Sequence, residues 1–515
     1  GPLVVEADES DGTLALYKAK TLVVNKCEYD HPDHFKTAAD YFACFDTARR
    51  QSGDVVESEI LPPADPIFDP ILAPLPSHNR KNARAAIEVA LRLGHTPDEI
   101  RTVLPEVLSE LPDRRFQRIW PRPDETAPNH ARLSASFTVI TDYAHHPREL
   151  ACAVAMAANL QPRRLRVLFQ PHRYTRTRAL CPQFPPAFAA ADEVILIPVY
   201  AAFEQPLPGG DIADLYKAFR EYVPSDDAAH RPTVKLARSA LEAWRHVYLT
   251  REPGDLILLA GAGDIIQLLP RVQADLDERG ATPTPPVTRL LGAGTNTWRS
   301  DLATDERFVR TTGPAAAPGA TLGIPWMAGI PGTLGGWVKM NAGAFGHSIS
   351  EVIRRVKVDG QWLTRAACGF AYRHSDIAGE IQDVEFDFTQ ADFPDPLRPE
   401  NKPALAALCA DYLSRRRKFP AGTKGSVFKN PSGNSSSGVN DGTALTAGRL
   451  LEKAGAKALR VGGAYVWQEH ANVIVAGPDA TASDFLALAR LMARAVFFKH
   501  GIRLEPEVCG LAVWP

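Results

Sequence analysis

Cysteine is scarce and unpatterned in this 515-residue chain. The seven thiols stand at 27, 44, 152, 181, 368, 409 and 509, and no two form a CxxC pair. An odd count without spacing excludes a zinc module built on paired thiolates. It fits reduced thiols in a cytoplasmic chain better than a disulfide framework. Long apolar runs are also missing. No stretch approaches the roughly 18 apolar residues that a membrane-spanning helix needs. The opening Gly1-Pro2-Leu3-Val4-Val5 has no charged region and no extended apolar region, so the expectation is no signal peptide and no membrane insertion. A dominant charge sign is absent as well. The formal net charge is −2, which leaves no global basic field to draw the chain to nucleic acid. The local run Arg415-Arg416-Arg417-Lys418 reads equally well as a solvated helix end. No internal repeat occurs, and no G-x-x-x-x-G-K-[ST] phosphate loop is found anywhere in the chain.

What is present is ordinary globular material. Hydrophobic residues make up 45% and charged residues 23%, enough apolar surface for several cores, and the length suggests three or four domains. The Pro-dense stretch 60–77 cannot be one long helix. Residues 78–93 then read as an amphipathic helix, with Ala85, Ile87, Val89, Ala90 and Leu93 available for packing. A boundary follows near 119–130. After it, strands at Phe137–Ile140, Leu165–Phe169, Val194–Val199 and Leu256–Ala260 alternate with helical patterns such as 147–159. That alternation predicts a parallel α/β sheet. The Pro/Thr-rich end of 270–287 reads as an extended linker. Beyond it the pattern becomes mixed α+β, with a polar loop at 432–446.

The chemistry of the first half begins with Glu6-Ala7-Asp8-Glu9-Ser10-Asp11 after an expected strand at Leu3–Val5. Acids and a hydroxyl at a strand end suit a hydrated Mg2+ beside phosphate. A second strand ending at Val23-Val24-Asn25 leads to Asp30-His31-Pro32-Asp33-His34. Each cluster alone is more often a solvated loop. Further on stand His78-Asn79 with Asn82, then Arg114-Arg115-Phe116, then Thr141-Asp142-Tyr143-Ala144-His145-His146-Pro147. The last of these stretches is Phe169-Gln170-Pro171-His172-Arg173-Tyr174-Thr175-Arg176.

Together these stretches resemble the central and C-terminal domains of the UDP-N-acetylmuramate–L-alanine ligases. The resemblance implies Glu6 and His31 as metal ligands. It implies Asn79, Asp142 and Tyr143 near ATP, and His172, Arg173 and Arg176 as the L-alanine site. Such residues suit the reaction. Amide formation from a carboxylate passes through an acyl phosphate, with Mg2+ and cationic side chains neutralising the transferring phosphoryl group. Arg can hold the amino-acid carboxylate bidentately. The chain departs from the family pattern where a phosphate loop is expected before the EADESD strand, in the family's UDP-binding domain, and between Phe45 and His78, where it is several tens of residues shorter.

The second half carries Gly-rich turns at Leu290-Leu291-Gly292-Ala293-Gly294-Thr295-Asn296 and at Gly329-Ile330-Pro331-Gly332-Thr333-Leu334-Gly335-Gly336, followed by Asn341-Ala342-Gly343. Backbone N–H groups in such turns form anion nests. Then come Cys368-Gly369-Phe370-Ala371-Tyr372-Arg373-His374-Ser375, Gly425-Ser426-Val427-Phe428-Lys429-Asn430-Pro431, His470-Ala471-Asn472 and Leu504-Glu505-Pro506-Glu507-Val508. This set resembles the FAD-dependent UDP-N-acetylenolpyruvylglucosamine reductases. The resemblance implies FAD binding at Gly292, Gly294, Asn296, Gly329, Ile330, Gly332, Thr333, Gly335, Gly336 and Asn341. It implies catalysis by Ser426, Arg373 and Glu507, and substrate binding by Tyr372, Lys429 and Asn430, with NADPH reducing the flavin. The family's opening strands are missing before 287, residues 308–324 are short for its hairpin and helix, and Cys509 stands where Arg is usual.

The expected fold is α/β multidomain. It comprises a Mur-ligase central domain (1–119), a Rossmann-like C-terminal domain (120–270), a linker (271–287), an α+β FAD-binding domain (288–395) and a substrate-binding domain (396–515). The expected partners are UDP-sugars and L-alanine, with the oligomeric state open. The competing class is a non-catalytic scaffold, a decayed fusion that binds UDP-sugars or partners. Flavin absorbance on purification separates the two, because a scaffold need not carry the cofactor. Since no phosphate loop cradles ATP in this chain, a protein of these 515 residues is expected to release no ADP in response to UDP-N-acetylmuramate and L-alanine. ADP release that requires both substrates contradicts this.

Overall fold

A computed structural model describes every residue except 1, 30–33, 74, 76, 110–114, 122–136, 225–229, 278–286, 292–300, 303–305, 311–323, 331, 390, 397, 416–418, 421, 432–444 and 515. The chain divides into two compact units. One comprises Gly1–Ala191, Val199–Pro206 and Pro253–Asp264, and the other comprises Asp192–Pro198, Leu207–Glu252 and Ile265–Pro515.

The first unit opens with a small parallel pair, Leu22–Val24 beside Val55–Glu57. The helix Ala38–Gln51 makes the crossover between them. Thr37 starts that helix by accepting the Asp40 N–H while the Asp40 carboxylate returns a bond to the Thr37 N–H, which satisfies two otherwise orphaned donors. Leu14, Leu22, Val24, Phe35, Tyr41 and Phe45 form its core. The expected strand at Leu3–Val5 does not form. Among the described residues these have no strand partner, and Leu3 and Val4 are 89% and 87% exposed. Three apolar residues make a strand only where a neighbouring strand takes their hydrogen bonds. The helix expected at 78–93 is Ser77–Arg92. Ala83, Ala85 and Ile87 are buried, whereas Leu93 lies past its end and is exposed. Between 45 and 77 the chain runs as the end of the first helix, the strand Val55–Glu57, a short turn of helix at Pro66–Phe68 and the helix Asp69–Leu72.

A second sheet in this unit orders its strands Gln117–Trp120, Thr138–Asp142, Leu256–Ala260 and Leu165–Phe169. The first pairing is antiparallel and the other two are parallel. Every residue of Leu165–Phe169 and Leu256–Ala260 is buried, as in a parallel sheet covered on both faces. The helix Pro147–Asn159 and these two strands lie where the alternation placed them. At the amino-terminal ends of the strands, buried Asp255 holds the Arg164 guanidinium through Nε at 3.0 Å and Nη2 at 2.5 Å.

The second unit contains the parallel pair Glu193–Leu196 and Thr233–Leu236. The strand expected to reach Val199 stops at Leu196, because Pro198 cannot donate to a ladder. Residues 271–277 of the expected linker continue the helix Leu269–Asp277, with Val272 and Leu276 buried, and residues 278–286 lie outside the described residues. Further along, Val287–Leu291 pairs in parallel with Glu306–Arg310. An antiparallel sheet orders Gln361–Thr364, Ile353–Val358 and Ile381–Phe386 over a core that includes Trp326, Trp337, Val356 and Ile377. A four-stranded sheet orders Thr423–Ser426, Val473–Ala476, Ala464–Val466 and Arg460–Val461. The 19-residue helix Ala482–His500 packs on it. The architecture is therefore mixed α/β and multidomain.

Candidate functional sites

In the first unit the carboxyl ends of the parallel strands gather several motif residues, which is where open α/β sheets bind ligands. Asp142 ends its strand and accepts the N–H of Ala144 through Oδ1 and of Phe116 through Oδ2, both at 2.7 Å. Burial pushes its carboxyl up, and these two N–H bonds pull against it. The exposed Tyr143 ring lies 5.5 Å from the Arg115 guanidinium and 5.5 Å from the His145 ring. His145 in turn is 5.6 Å from His172, which is 5.4 Å from Tyr200. Arg176 Nη1 lies 3.3 Å from His172 Nδ1, and Arg176 is buried. Arg173 adopts φ +70° and its N–H bonds the Tyr200 carbonyl. An L-residue in that region is a strained position of the kind that clusters at functional sites. Gly263 permits the close approach, since a Cβ there would meet Tyr200 at 2.5 Å.

The structure thus brings together Asp142, Tyr143, His172, Arg173 and Arg176. Glu6 is exposed on an irregular stretch, and Asn79 lies on the helix Ser77–Arg92. His31 lies outside the described residues, and among the described residues no three His, Cys, Asp or Glu side chains group to hold a metal. Glu149 was not singled out from the sequence, yet its carboxylate accepts the N–H groups of His145 and His146 and fixes the turn. Burial raises its pKa, but His145 and these N–H bonds outweigh that and hold the carboxyl below its usual range. Its signal was its position in the first turn of the helix, three residues after the cap.

In the second unit the centre of the site is a half-buried ion pair. Arg373 Nε donates to Glu507 Oε1 at 3.0 Å, and Arg373 Nη2 donates to the Gly343 carbonyl at 2.8 Å. Arg373 sits at φ +53° in a tight turn closed by reciprocal bonds between Ala371 and His374. The Gly343 carbonyl belongs to the two-residue hairpin Gly343–Ala344/His347–Ser348. A Cβ at Gly343 would lie 1.9 Å from the His347 oxygen, so only glycine closes that hairpin. The carbonyl's role was not legible from the motif.

Ser426 ends the strand Thr423–Ser426. Beyond it the chain crosses to the Glu507 segment: the Glu507 N–H bonds the Val427 carbonyl at 2.7 Å, and the Lys429 N–H bonds the Glu505 carbonyl at 2.9 Å. Asn472 clamps this crossing from below. Its Oδ1 accepts the Phe428 N–H and its Nδ2 donates to the Phe428 carbonyl. HAN was visible as a motif, but this bracing role was not. Asn430 Oδ1 accepts the Ala447 N–H at the start of the next helix. Tyr372 bonds the Asn430 backbone, and its hydroxyl is pushed up by burial and then by the nearby Glu507 charge. Burial also pushes the Glu507 carboxyl above the usual range, with Arg373 and Lys429 pulling against it. Ser426, Arg373, Glu507, Tyr372, Lys429 and Asn430 therefore converge.

The Gly-rich turn Gly329–Gly336 has φ +76° at Gly329 and +128° at Gly332, positions that favour glycine. Ile330 follows Gly329 and bonds back to the Met327 carbonyl. Thr333 caps the helix Leu334–Lys339 by accepting the Gly336 N–H, and Gly335 lies in its first turn. Buried Asn341 ties this turn to the site. Its Nδ2 donates to the Ala371 carbonyl and its Oδ1 accepts the Ser350 N–H. Gly292, Gly294 and Asn296 lie outside the described residues.

Residues 417–511 match the family described as UDP-N-acetylenolpyruvoylglucosamine reductase, C-terminal domain, and residues 129–263 match the Mur ligase, glutamate ligase domain. The chain is similar to the UDP-N-acetylmuramate–L-alanine ligase of Gloeobacter violaceus, with 31% identity covering 53% of this chain and 63% of that protein. The corresponding ligase of Anaeromyxobacter dehalogenans shows 32% identity covering 53% and 65%. The chain spans just under two-thirds of the length of these ligases. Among solved structures, the UDP-N-acetylenolpyruvylglucosamine reductase of Thermus caldophilus is 27% identical over 47% of this chain and 89% of that one, with a TM-score of 0.35. The UDP-N-acetylmuramate–alanine ligase of Thermotoga maritima is 20% identical over 53% and 63%, with a TM-score of 0.38.

Proposed function

We propose, for a chain that joins a segment of the UDP-N-acetylmuramate–L-alanine ligase family to a UDP-N-acetylenolpyruvoylglucosamine reductase segment, that it serves peptidoglycan precursor synthesis. In this reading residues 288–515, as an FAD-binding part (288–395) and a substrate-binding part (396–515), reduce UDP-N-acetylenolpyruvylglucosamine to UDP-N-acetylmuramate with FAD and NADPH. Residues 1–119 and 120–270 derive from the ATP- and Mg2+-dependent enzyme that adds L-alanine to that product. The two steps are consecutive, which gives their union metabolic sense. The nucleotide-linked substrates place the chain in the cytoplasm, and among the described residues no helix is long and apolar enough to cross a membrane.

The observation that carries the reductase reading is the half-buried Arg373–Glu507 pair, with Ser426 at the end of the adjoining segment. An enolpyruvyl double bond resists hydride addition unless negative charge developing towards its carboxylate is stabilised. Arg373 supplies a fixed guanidinium for that charge. Glu507, whose carboxyl burial pushes above the usual range, stands beside that guanidinium, and its protonated form would stabilise the same charge. The Ser426 hydroxyl delivers a proton to the carbon next to the one that receives hydride. Tyr372, Lys429 and Asn430 line the same site and bind substrate, with the Lys429 ammonium suited to phosphate.

The residues present fit a flavin dinucleotide. The Gly329–Gly336 turn offers backbone N–H groups at a helix start, and Asn341 fixes its distance from Arg373. Gly292, Gly294 and Asn296 are assigned to the same cofactor by motif. When bound, the flavin, reduced by NADPH, supplies the hydride. In the ligase-derived half, the cluster of His172, Arg173 and Arg176 suits a carboxylate, and Asp142 and Tyr143 suit a nucleotide edge. Glu6 and His31 stay proposed as metal ligands on motif alone.

Ser426→Ala is expected to leave reduction of bound flavin by NADPH unchanged in a stopped-flow trace. It should slow reoxidation by the enolpyruvyl substrate by about a hundredfold or more, the usual weight of one positioned proton donor. Equal loss in both half-reactions contradicts the assignment. A second expectation follows from Glu507. A carboxyl with a raised pKa is neutral below that pKa and loses its proton as pH rises through it. The substrate half-reaction should therefore fall on the alkaline side, and Glu507→Gln, which cannot ionise, should flatten that limb. An unchanged alkaline limb in Glu507→Gln assigns the titration to another group.

A further inference from the structure

The last helix of the reductase segment, Ala482–His500, is buried nearly all round. Twelve of its residues are buried, among them two arginines and an aspartate. A helix of that kind needs cover on more than one side. One side is the four-stranded sheet, and another is the helix Ile212–Glu221 with the strand Thr233–Leu236. These two elements fall inside the ligase-type match at 129–263, and the long helix falls inside the reductase-type match at 417–511. All three belong to one compact unit of the chain.

The charges between the two helices are buried and crossed. Asp211, the cap of Ile212–Glu221, lies 3.3 Å from Arg490 Nε through Oδ1 and 3.1 Å from Arg494 Nη2 through Oδ2. All three side chains are at most 6% exposed. At the other end of the short helix, Arg220 Nε lies 2.9 Å from Asp484 Oδ1, and the Tyr216 hydroxyl donates to the same carboxylate at 3.0 Å. Ser483 Oγ accepts the Leu236 N–H. The negative end of one helix thus meets the positive end of the other, which requires the two to run antiparallel. The spacing agrees: 211 to 220 spans about 14 Å and 484 to 494 about 15 Å at helical rise. Burial pushes the Asp211 carboxyl up, but Arg490 and Arg494 outweigh it and hold it below the usual range. Without the ligase-derived helix, two buried guanidiniums would lose that countercharge, a costly state.

We infer that this antiparallel, charge-crossed helix pair is a dedicated docking interface, by which the ligase-derived segment 207–252 holds the reductase-derived last helix independently of the peptide that links them. It is legible only in a chain that carries both segments. Asp211 serves on one side as helix cap and on the other as the carboxylate partner of both Arg490 and Arg494.

The test is to place a specific protease site within 281–286, purify the full chain, cut it and measure association of the two fragments by size exclusion and titration. The nicked chain is expected to elute as one species at the size of the intact chain. Arg220→Glu, at a side chain 31% exposed, sets a carboxylate against buried Asp484 and should weaken fragment association roughly tenfold or more. Asp211→Asn retains a cap acceptor but removes the charge, and should weaken it on the order of a hundredfold. Lys217→Glu, at a half-buried residue that pairs with Glu221 on its own helix, should leave association unchanged. Spontaneous separation of the unmutated nicked chain overturns the inference. So does an Arg220→Glu chain whose fragments associate as tightly as those of Lys217→Glu.

Discussion

A half-buried guanidinium and carboxylate, Arg373 and Glu507, are the interaction around which the reductase-type half is organised. They stand 134 residues apart in sequence. Partial burial makes an unpaired charge there unfavourable, and Arg373 makes one further bond beyond the pair. Arg373 reaches its place from a left-handed turn, and its second bond goes to a carbonyl that only a glycine hairpin can present. Glu507 is held through its own N–H by the Val427 carbonyl, one residue after Ser426. A backbone bond therefore fixes the Ser426 and Glu507 segments against each other, and the Arg373 side chain joins the third segment to them.

Much of this was legible as residue identity. The motifs around 372–373, 425–431 and 504–508 named the residues that converge, and the alternation of strands and helices placed Leu165–Phe169, Leu256–Ala260 and Pro147–Asn159 at their observed positions. What was not legible is contact through backbone atoms. The Gly343 carbonyl and the double bond from Asn472 to Phe428 use groups that every residue or a plain amide carries, so no residue type advertises them. Leu3–Val5 illustrates the reverse case. Its composition favours a strand, but strand formation depends on a partner that composition does not encode.

The same limit applies to the crossed charges at Asp211, Asp484, Arg490 and Arg494. In sequence, Arg490 and Arg494 look like the solvated stripe of an amphipathic helix. Only tertiary packing turns that stripe inward and supplies a carboxylate from a segment whose family resemblance concerns another reaction. The ligase-type half shows a parallel separation of roles. Its cluster at the strand ends keeps the residues that suit a carboxylate and a nucleotide, while the phosphate loop that such chemistry requires is not in the chain.

The reductase reading stands or falls on turnover by the whole chain. With FAD bound, the account predicts NADPH oxidation that depends on UDP-N-acetylenolpyruvylglucosamine and yields one equivalent of UDP-N-acetylmuramate. A chain that binds flavin and accepts electrons from NADPH, yet forms no UDP-N-acetylmuramate, would contradict it.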